Sequence, residues 1–117
     1  MHEHAGEIAT DLREDAVVVR LRGEIDAALR DDAERALASA IAARAPVVLD
    51  LREVTFIDAT GLAFLVRCHR ACAGTGVPCA LRHVPPRTRD LLALLGVEGL
   101  VRGDAHAGAA AARSASR

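Results

Sequence analysis

Two hydrophobic rhythms take turns along this chain. Between residues 16 and 22, Val17, Val19 and Leu21 alternate with Val18, Arg20 and Arg22. That period of two predicts a strand with one covered face and one partly wet face. Residues 7–13 carry a weaker version of the pattern, and Asp15 supplies a turn between the two strands. Gly23, Glu24, Ile25 and Asp26 break the second strand, and Asp26 suits the N-cap of a helix. From 27 to 44 the apolar positions are Leu29, Ala33, Ala36, Leu37, Ala40 and Ile41, with Arg30, Asp31, Asp32, Glu34 and Arg35 opposite. This is the stripe of a helix lying on a core. Pro46 closes the connection.

Residues 47–51, VVLDL, form a continuous apolar run around Asp50, which predicts a strand buried on both faces in the middle of a sheet. Residues 55–57 extend it to Asp58. A helix is expected from about 59 to 73, with Leu62, Leu65, Val66, His69 and Ala73 inward and Gly74 and Gly76 as its stop. Phe64 lies about 200° around that helix from Leu62 and so points away from the stripe. An exposed Phe there reads as part of a partner surface or as the cover of a neighbouring loop. Residues 78–84 predict a further strand. Pro85 and Pro86 open a helix running to Leu95, with Leu91, Leu92 and Leu95 inward and Gly96 as its stop. A last short strand is expected over 97–102, and 104–117 reads as a tail of Ala, Gly, Ser and Arg, a short helix or disordered.

The order is β-β-α-β-α-β-α-β. Alternating strands and helices imply parallel pairing through crossovers, after one antiparallel pair at the start. The expected fold class is therefore α/β, a single mixed sheet with 47–51 in its middle and helices mainly on one face. The chain divides into one domain, 1–103, and the tail, 104–117.

Composition adds limits. A chain of 117 residues can bury a core without metal or disulfide staples. With Phe56 and Phe64 as its only aromatics, that core is built from Val, Leu, Ile and Ala. All 15 basic residues are Arg, and 16 acidic residues bring the net charge to −1. Such a balance does not drive a chain onto nucleic acid or anionic lipid. The first fifteen residues lack the basic and apolar regions of a signal peptide, and no long uncharged stretch suggests membrane insertion. With three cysteines, an odd number, the expectation is a reduced, cytoplasmic protein.

Candidate chemistry is sparse. Nucleophile-elbow, P-loop, dinucleotide and zinc-protease motifs are missing, so the expectation is no enzyme and no cofactor. Gly74, Thr75 and Gly76 form a turn. Cys68, His69 and Cys72 share a helix, with Cys79 on the next strand, but a fourth ligand and knuckle spacing are lacking, so no metal is expected. His69 reads as a satisfied, half-buried side chain, and His2 and His4 as inert. Arg82, Arg87 and Arg89 read as a solvated surface. Asp58 suits the N-cap of the helix beginning at Ala59, a role worth about 1 kcal/mol. Asp50, inside a buried strand, needs donors.

Three segments resemble the STAS domain of bacterial anti-sigma factor antagonists, over about residues 7–103. Gly23-Glu24-Ile25-Asp26 resembles the family's Gly-Glu-Leu-Asp turn. Val47-Val48-Leu49-Asp50-Leu51 resembles its central strand. Phe56-Ile57-Asp58-Ala59-Thr60-Gly61-Leu62 resembles its Phe-Ile-Asp-Ser-Ser-Gly-Leu signature. The resemblance implies a non-enzymatic module that binds an anti-sigma factor, itself a kinase of the histidine-kinase-like ATPase fold, and so frees a sigma factor. It implies phosphorylation of the hydroxyl residue after the signature Asp, which ends binding, and a phosphatase that resets the module. A phosphoryl group there would sit at a helix N-terminus, where the dipole and free amides tolerate it. The sequence departs from the pattern at that position, where Ala59 carries no hydroxyl. Thr60 matches the second hydroxyl of the signature and is the phosphorylation candidate, turned about 100° from position 59. The readings are a constitutive antagonist, a switch at Thr60, or another STAS role. The implied partner surface comprises Asp26, Asp58, Ala59, Thr60, Gly61 and Phe64, on a monomer. STAS proteins also serve anion transporters and lipid-transport ABC complexes, and a cytoplasmic accessory subunit of such a system is the alternative.

Overall fold

A computed structural model describes residues 6–96. Strands β1 (Glu7–Leu12) and β2 (Val17–Ile25) are followed by a 3-10 turn (Ala27–Leu29) and helix α1 (Arg30–Ala43). Strand β3 (Val47–Ile57), helix α2 (Ala59–Thr75), strand β4 (Cys79–Arg82) and helix α3 (Pro86–Leu94) complete the described chain. The four strands lie in the order β1-β2-β3-β4. β1 runs antiparallel to β2, while β2–β3 and β3–β4 are parallel. This is the expected mixed sheet with its antiparallel pair first. The expected strand over 97–102 and the tail fall outside the described residues, as do His2 and His4.

The core follows the strand periodicity. Val17, Val47 and Cys79 align across the sheet, as do Val19, Leu49 and Leu81, and these rows pack under the helices in one cluster with Leu37, Leu65 and Leu92. The odd-numbered positions of 17–21 and 47–51 therefore face the helices. Ala16, Val18 and Val48 form a small buried cluster of their own on the other face. Next to it lies the polar row Arg20, Asp50 and Arg82.

β3 spans eleven residues where its partner β2 spans nine. The two extra residues are taken up at two register shifts, where Arg22 aligns with Glu53 and Glu24 with Phe56. Each shift is a bulge, which bends the strand and re-aims its side chains. The carboxylate of Asp50 accepts from the amide of Arg52 at 3.0 Å, satisfying a donor at the first bulge. Asp50 thus has a structural role, and it lies partly exposed rather than sealed in the core. Gly23, at φ 72°, stands at the second irregularity, in the left-handed region that a side chain disfavours. The expected break at Gly23 is corrected: β2 runs through it to Ile25. After the bulges the inward positions of β3 come at Val54 and Ile57, and Phe56 turns to solvent, 55% exposed.

The helix faces also differ from expectation. α2 buries Gly61, Phe64, Leu65, Cys68 and Cys72. Leu62, Val66 and His69 are only half-buried, and Ala73 is exposed. The true stripe is rotated because α2 packs against the sheet and α1 together. α1 presents Ala33, Ala36 and Ala40, and small side chains leave room for one large ring. Phe64 belongs to that core, 3% exposed. α2 continues through Gly74 and stops at Gly76, which is left-handed at φ 76°. In α3 only Leu92 of the three expected leucines is buried; Leu91 and Leu95 are exposed.

The three thiols are buried and free. Burial, with the neighbouring Cys72 sulfur, pushes the Cys68 thiol up to about 12. The hydrogen bond with Cys72 and then burial push Cys79 up as well. We predict that iodoacetamide at pH 8 leaves Cys68 unmodified in the native protein and alkylates it in guanidinium, since the raised pKa removes about 10³-fold of its thiolate. Stoichiometric native labelling by mass spectrometry would contradict this. The same shift lowers stability as pH rises above about 9, because the unfolded chain there releases thiol protons that the folded chain keeps.

Candidate functional site

The ladder between β2 and β3 ends at the pair Ile25↔Ile57. The next residue on each strand is an aspartate, and the Asp58 amide donates to the Ile25 carbonyl at 3.1 Å, tying the two strand ends together. Asp26 and Asp58 therefore start their turns side by side, at the carboxyl edge of two parallel strands. In open α/β sheets that edge is where binding surfaces gather.

Both aspartates act as caps. Asp26 Oδ1 accepts from the Ala28 amide at 3.1 Å and opens the 3-10 turn. Asp58 Oδ1 accepts from the amides of Thr60 at 2.9 Å and Gly61 at 3.1 Å. Its backbone carbonyl takes the Leu62 amide at 2.9 Å. This corrects the picture of a helix N-terminus with free amides awaiting a phosphoryl group: the amides of Thr60 and Gly61 are already held by Asp58.

Gly61 is there because nothing larger fits. A Cβ built on it would lie 2.5 Å from Ile57 Cγ1 and 3.0 Å from Ile25 Cγ2. Its lack of a side chain lets the first turn of α2 sit directly on the last pair of the ladder. Ala59, next to the cap, is exposed, and Thr60 is half-buried.

Thr60 lines a cleft of about 370 Å³ between α1 and α2. Ala33, Ala59, Ala63 and Phe64 line its apolar part, and Arg30, Glu34 and Arg67 its charged part. Arg67 clamps the two helices through a two-point pair with Glu34, one contact at 3.0 Å and the other from Nη1 to Oε2. That hydrogen bond holds the Glu34 carboxyl below its ordinary range and raises Arg67. The structure thus brings Asp26, Asp58, Ala59, Thr60 and Gly61 to one edge. Phe64 comes to the same place from beneath, as the buried support of the cleft, and not as the exposed contact expected of it. Sequence reasoning missed Arg30, Glu34 and Arg67; the i, i+4 spacing of Arg30 and Glu34 was visible, but the pairing across helices was not.

The family model described as Mlab, STAS domain, matches residues 8–102. The chain belongs to the STAS domain family. A search of the curated proteins finds no match. Among solved structures, this STAS domain is similar to an anti-sigma factor antagonist from Mycobacterium paratuberculosis, at 24% identity over 80% of each chain, with a TM-score of 0.68. It is similar to the Bacillus cell fate determinant SpoIIAA in its phosphorylated form, at 18% identity over 80% of this chain and 87% of that one, also with a TM-score of 0.68. A STAS-domain antisigma-factor antagonist from Rhodobacter sphaeroides matches at 13% identity, covering 68% of this chain and 87% of that one, with a TM-score of 0.52. At these identities the solved structures establish a shared fold.

Other candidates fall away from the edge. Cys68, Cys72 and Cys79 lie in the core, and no group of three or more His, Cys, Asp or Glu among the described residues could hold a metal ion. His69 is half-buried, but its Nδ1 has no hydrogen-bond partner, contrary to the expectation of a satisfied histidine. No helix among the described residues is long and apolar enough to cross a membrane.

Proposed function

We propose that this STAS domain is a regulatory protein-binding module of the anti-sigma factor antagonist type. Its carboxyl edge, carrying Asp26, Asp58, Ala59, Thr60 and Gly61 above the cleft supported by Phe64, docks an anti-sigma factor with a serine-kinase-type ATPase fold, and docking releases a sigma factor. The observation that carries this reading is the Ile25↔Ile57 pairing, which sets both capped turns and the exposed Ala59 on one edge. The phosphorylated state of SpoIIAA supports the idea that this fold accepts such a modification. In this chain the outward position holds Ala59, and Thr60 turns into the cleft between the helices. The module therefore acts as a constitutive antagonist, and a phosphatase has nothing to reset.

The test uses radiolabelled ATP and purified serine-kinase-type anti-sigma factors from the same organism, tried one at a time. We predict binding without labelling of the wild type, and labelling of Ala59→Ser. A reacting oxygen displaced by about 1 Å can lose about 10²-fold in rate, and Thr60 sits one helical residue away with a stiff β-branch. Rapid labelling of the wild type that disappears in Thr60→Val would move the switch to Thr60 and overturn the constitutive reading. The second reading is an accessory subunit of a membrane transport system. It stands because the solved antagonists named above share 24%, 18% and 13% of this sequence and establish the fold alone. Native co-purification of an ABC ATPase with its permease, in place of a soluble kinase, would decide for it.

A further inference from the structure

A second surface lies on the other side of β3. β4 pairs only with the first four residues of β3, from Val47↔Cys79 to Asp50↔Arg82. Beyond Asp50, β3 runs seven more residues with β2 on one side and no strand partner on the other among the described residues. Against that edge stands the start of α3, and between them runs a groove of about 410 Å³. Val54, Phe56 and Ile57 form one wall, and Pro85, Arg87 and Leu91 the other. Phe56, 55% exposed, stands at the mouth. The apolar surface continues along α3 through Leu91, Leu94 and Leu95, all exposed. Contiguous exposed apolar surface of this kind marks interaction sites.

The groove has a definite electrostatic character. Arg87 is the single ionised side chain among the described residues lining it. α3 opens beside the groove, no side chain caps its N-terminus, and its first turn holds no acid. The helix dipole and Arg87 therefore add with the same sign. An occupant matched to these features has aliphatic side chains for the Phe56–Leu91 wall and a carboxylate for Arg87. It is extended, because a strand laid along an edge that has no strand partner among the described residues gains backbone hydrogen bonds while alternate side chains enter the pocket.

We propose that this groove is a second protein-docking surface, distinct from the Asp26–Asp58 edge, that takes an extended partner segment in which aliphatic residues neighbour an Asp or Glu. It gives the module two faces for two contacts. Its position beside Ile57 places it next to the proposed anti-sigma edge without sharing Asp58, Ala59 or Thr60.

The probe is a library of random short peptides displayed on phage and selected against the full-length wild type, Phe56→Ser and Arg87→Glu. Both substituted side chains are exposed, so both variants keep the fold, and circular dichroism checks this. The expected result is enrichment of aliphatic sequences carrying Asp or Glu, weakened about tenfold or more by either substitution, with Arg87→Glu selecting Lys or Arg instead. Methyl resonances of Val54, Ile57 and Leu91 should shift on titration with the winning peptide. Three outcomes overturn the proposal. One is no enrichment, or enrichment indifferent to both substitutions. Another is contact between the Phe56 ring and residues 97–117 in the free full-length chain, seen by nuclear Overhauser effects, which would give the groove to the chain's own end. The third is a dimer in solution that Phe56→Ser dissociates.

Discussion

Phe64→Ala is expected to destabilise the STAS domain by about 3–5 kcal/mol, whereas Phe56→Ala changes its stability by less than about 1 kcal/mol. The two rings are the only aromatics in the chain, and their environments are opposite. Phe64 is 3% exposed, in the core with Leu65 and Cys68 and facing the small residues of α1. Its removal leaves a cavity that Ala33, Ala36 and Ala40 are too short to fill. Phe56 is mostly in water already. For a domain of this size a loss of about 3 kcal/mol lowers the melting temperature by roughly 10 °C or more. Thermal unfolding of both variants, followed by circular dichroism, measures the contrast. A near-neutral Phe64→Ala would return that ring to the surface and undo the account of the α1–α2 contact.

Gly61→Ala should also destabilise the domain, although it adds only one methyl group. The new Cβ would lie 2.5 Å from Ile57 Cγ1, closer than carbon atoms approach in folded proteins. Ile57 Cγ1 is bonded to Cβ and is not a free chain end, so backbone or rotamer must give. Overpacking of this kind costs about 1–3 kcal/mol. The helix propensity gained by replacing glycine, about 1 kcal/mol in a helix interior, offsets only part of it. The strain has a named partner, which makes it testable by a double-mutant cycle. We predict that Ile57→Ala, destabilising by itself, loses much of its cost in the Gly61→Ala background, with a coupling of about 1 kcal/mol or more. Additive effects would show that the clash is relieved elsewhere. The functional consequence is also expected: tilting the first turn of α2 moves Asp58 and Ala59 relative to Asp26, so partner binding falls before the fold is lost.

These two expectations fall at places where local pattern and final structure part. The order of the described elements, the mixed sheet and the interior position of 47–51 were legible because each rests on a periodicity within one segment. So was the Asp58 cap, because an Asp followed by a helical stripe needs only its own backbone to act; Asp26 also caps, but it caps the 3-10 turn Ala27–Leu29, and α1 starts only at Arg30. The proline opening of α3 and the glycine end of α2 are equally local. The signature around Asp58 made the edge recognisable because the turn and the following helix are consecutive in the chain.

What the sequence could not supply was the angle at which each helix meets its neighbours. A stripe read from one helix assumes a single face to bury. α2 buries two, one on the sheet and one on α1, so its centre shifts from Leu62 and Val66 toward Phe64 and Cys68. The bulges of β3 exist only in the mismatch between its eleven residues and the nine of β2, and they turn Phe56 outward while Val54 and Ile57 face the core. The Arg67–Glu34 clamp joins residues 33 positions apart, and the groove beside Phe56 joins the end of β3 to the start of α3. Periodicity, capping and turn chemistry are properties of neighbouring residues, so the sequence determined the elements and their order by itself. Which aromatic is buried, what the cleft and the groove are lined with, and why Gly61 tolerates no side chain depend on atoms brought together from separate segments, and only the tertiary packing decided them.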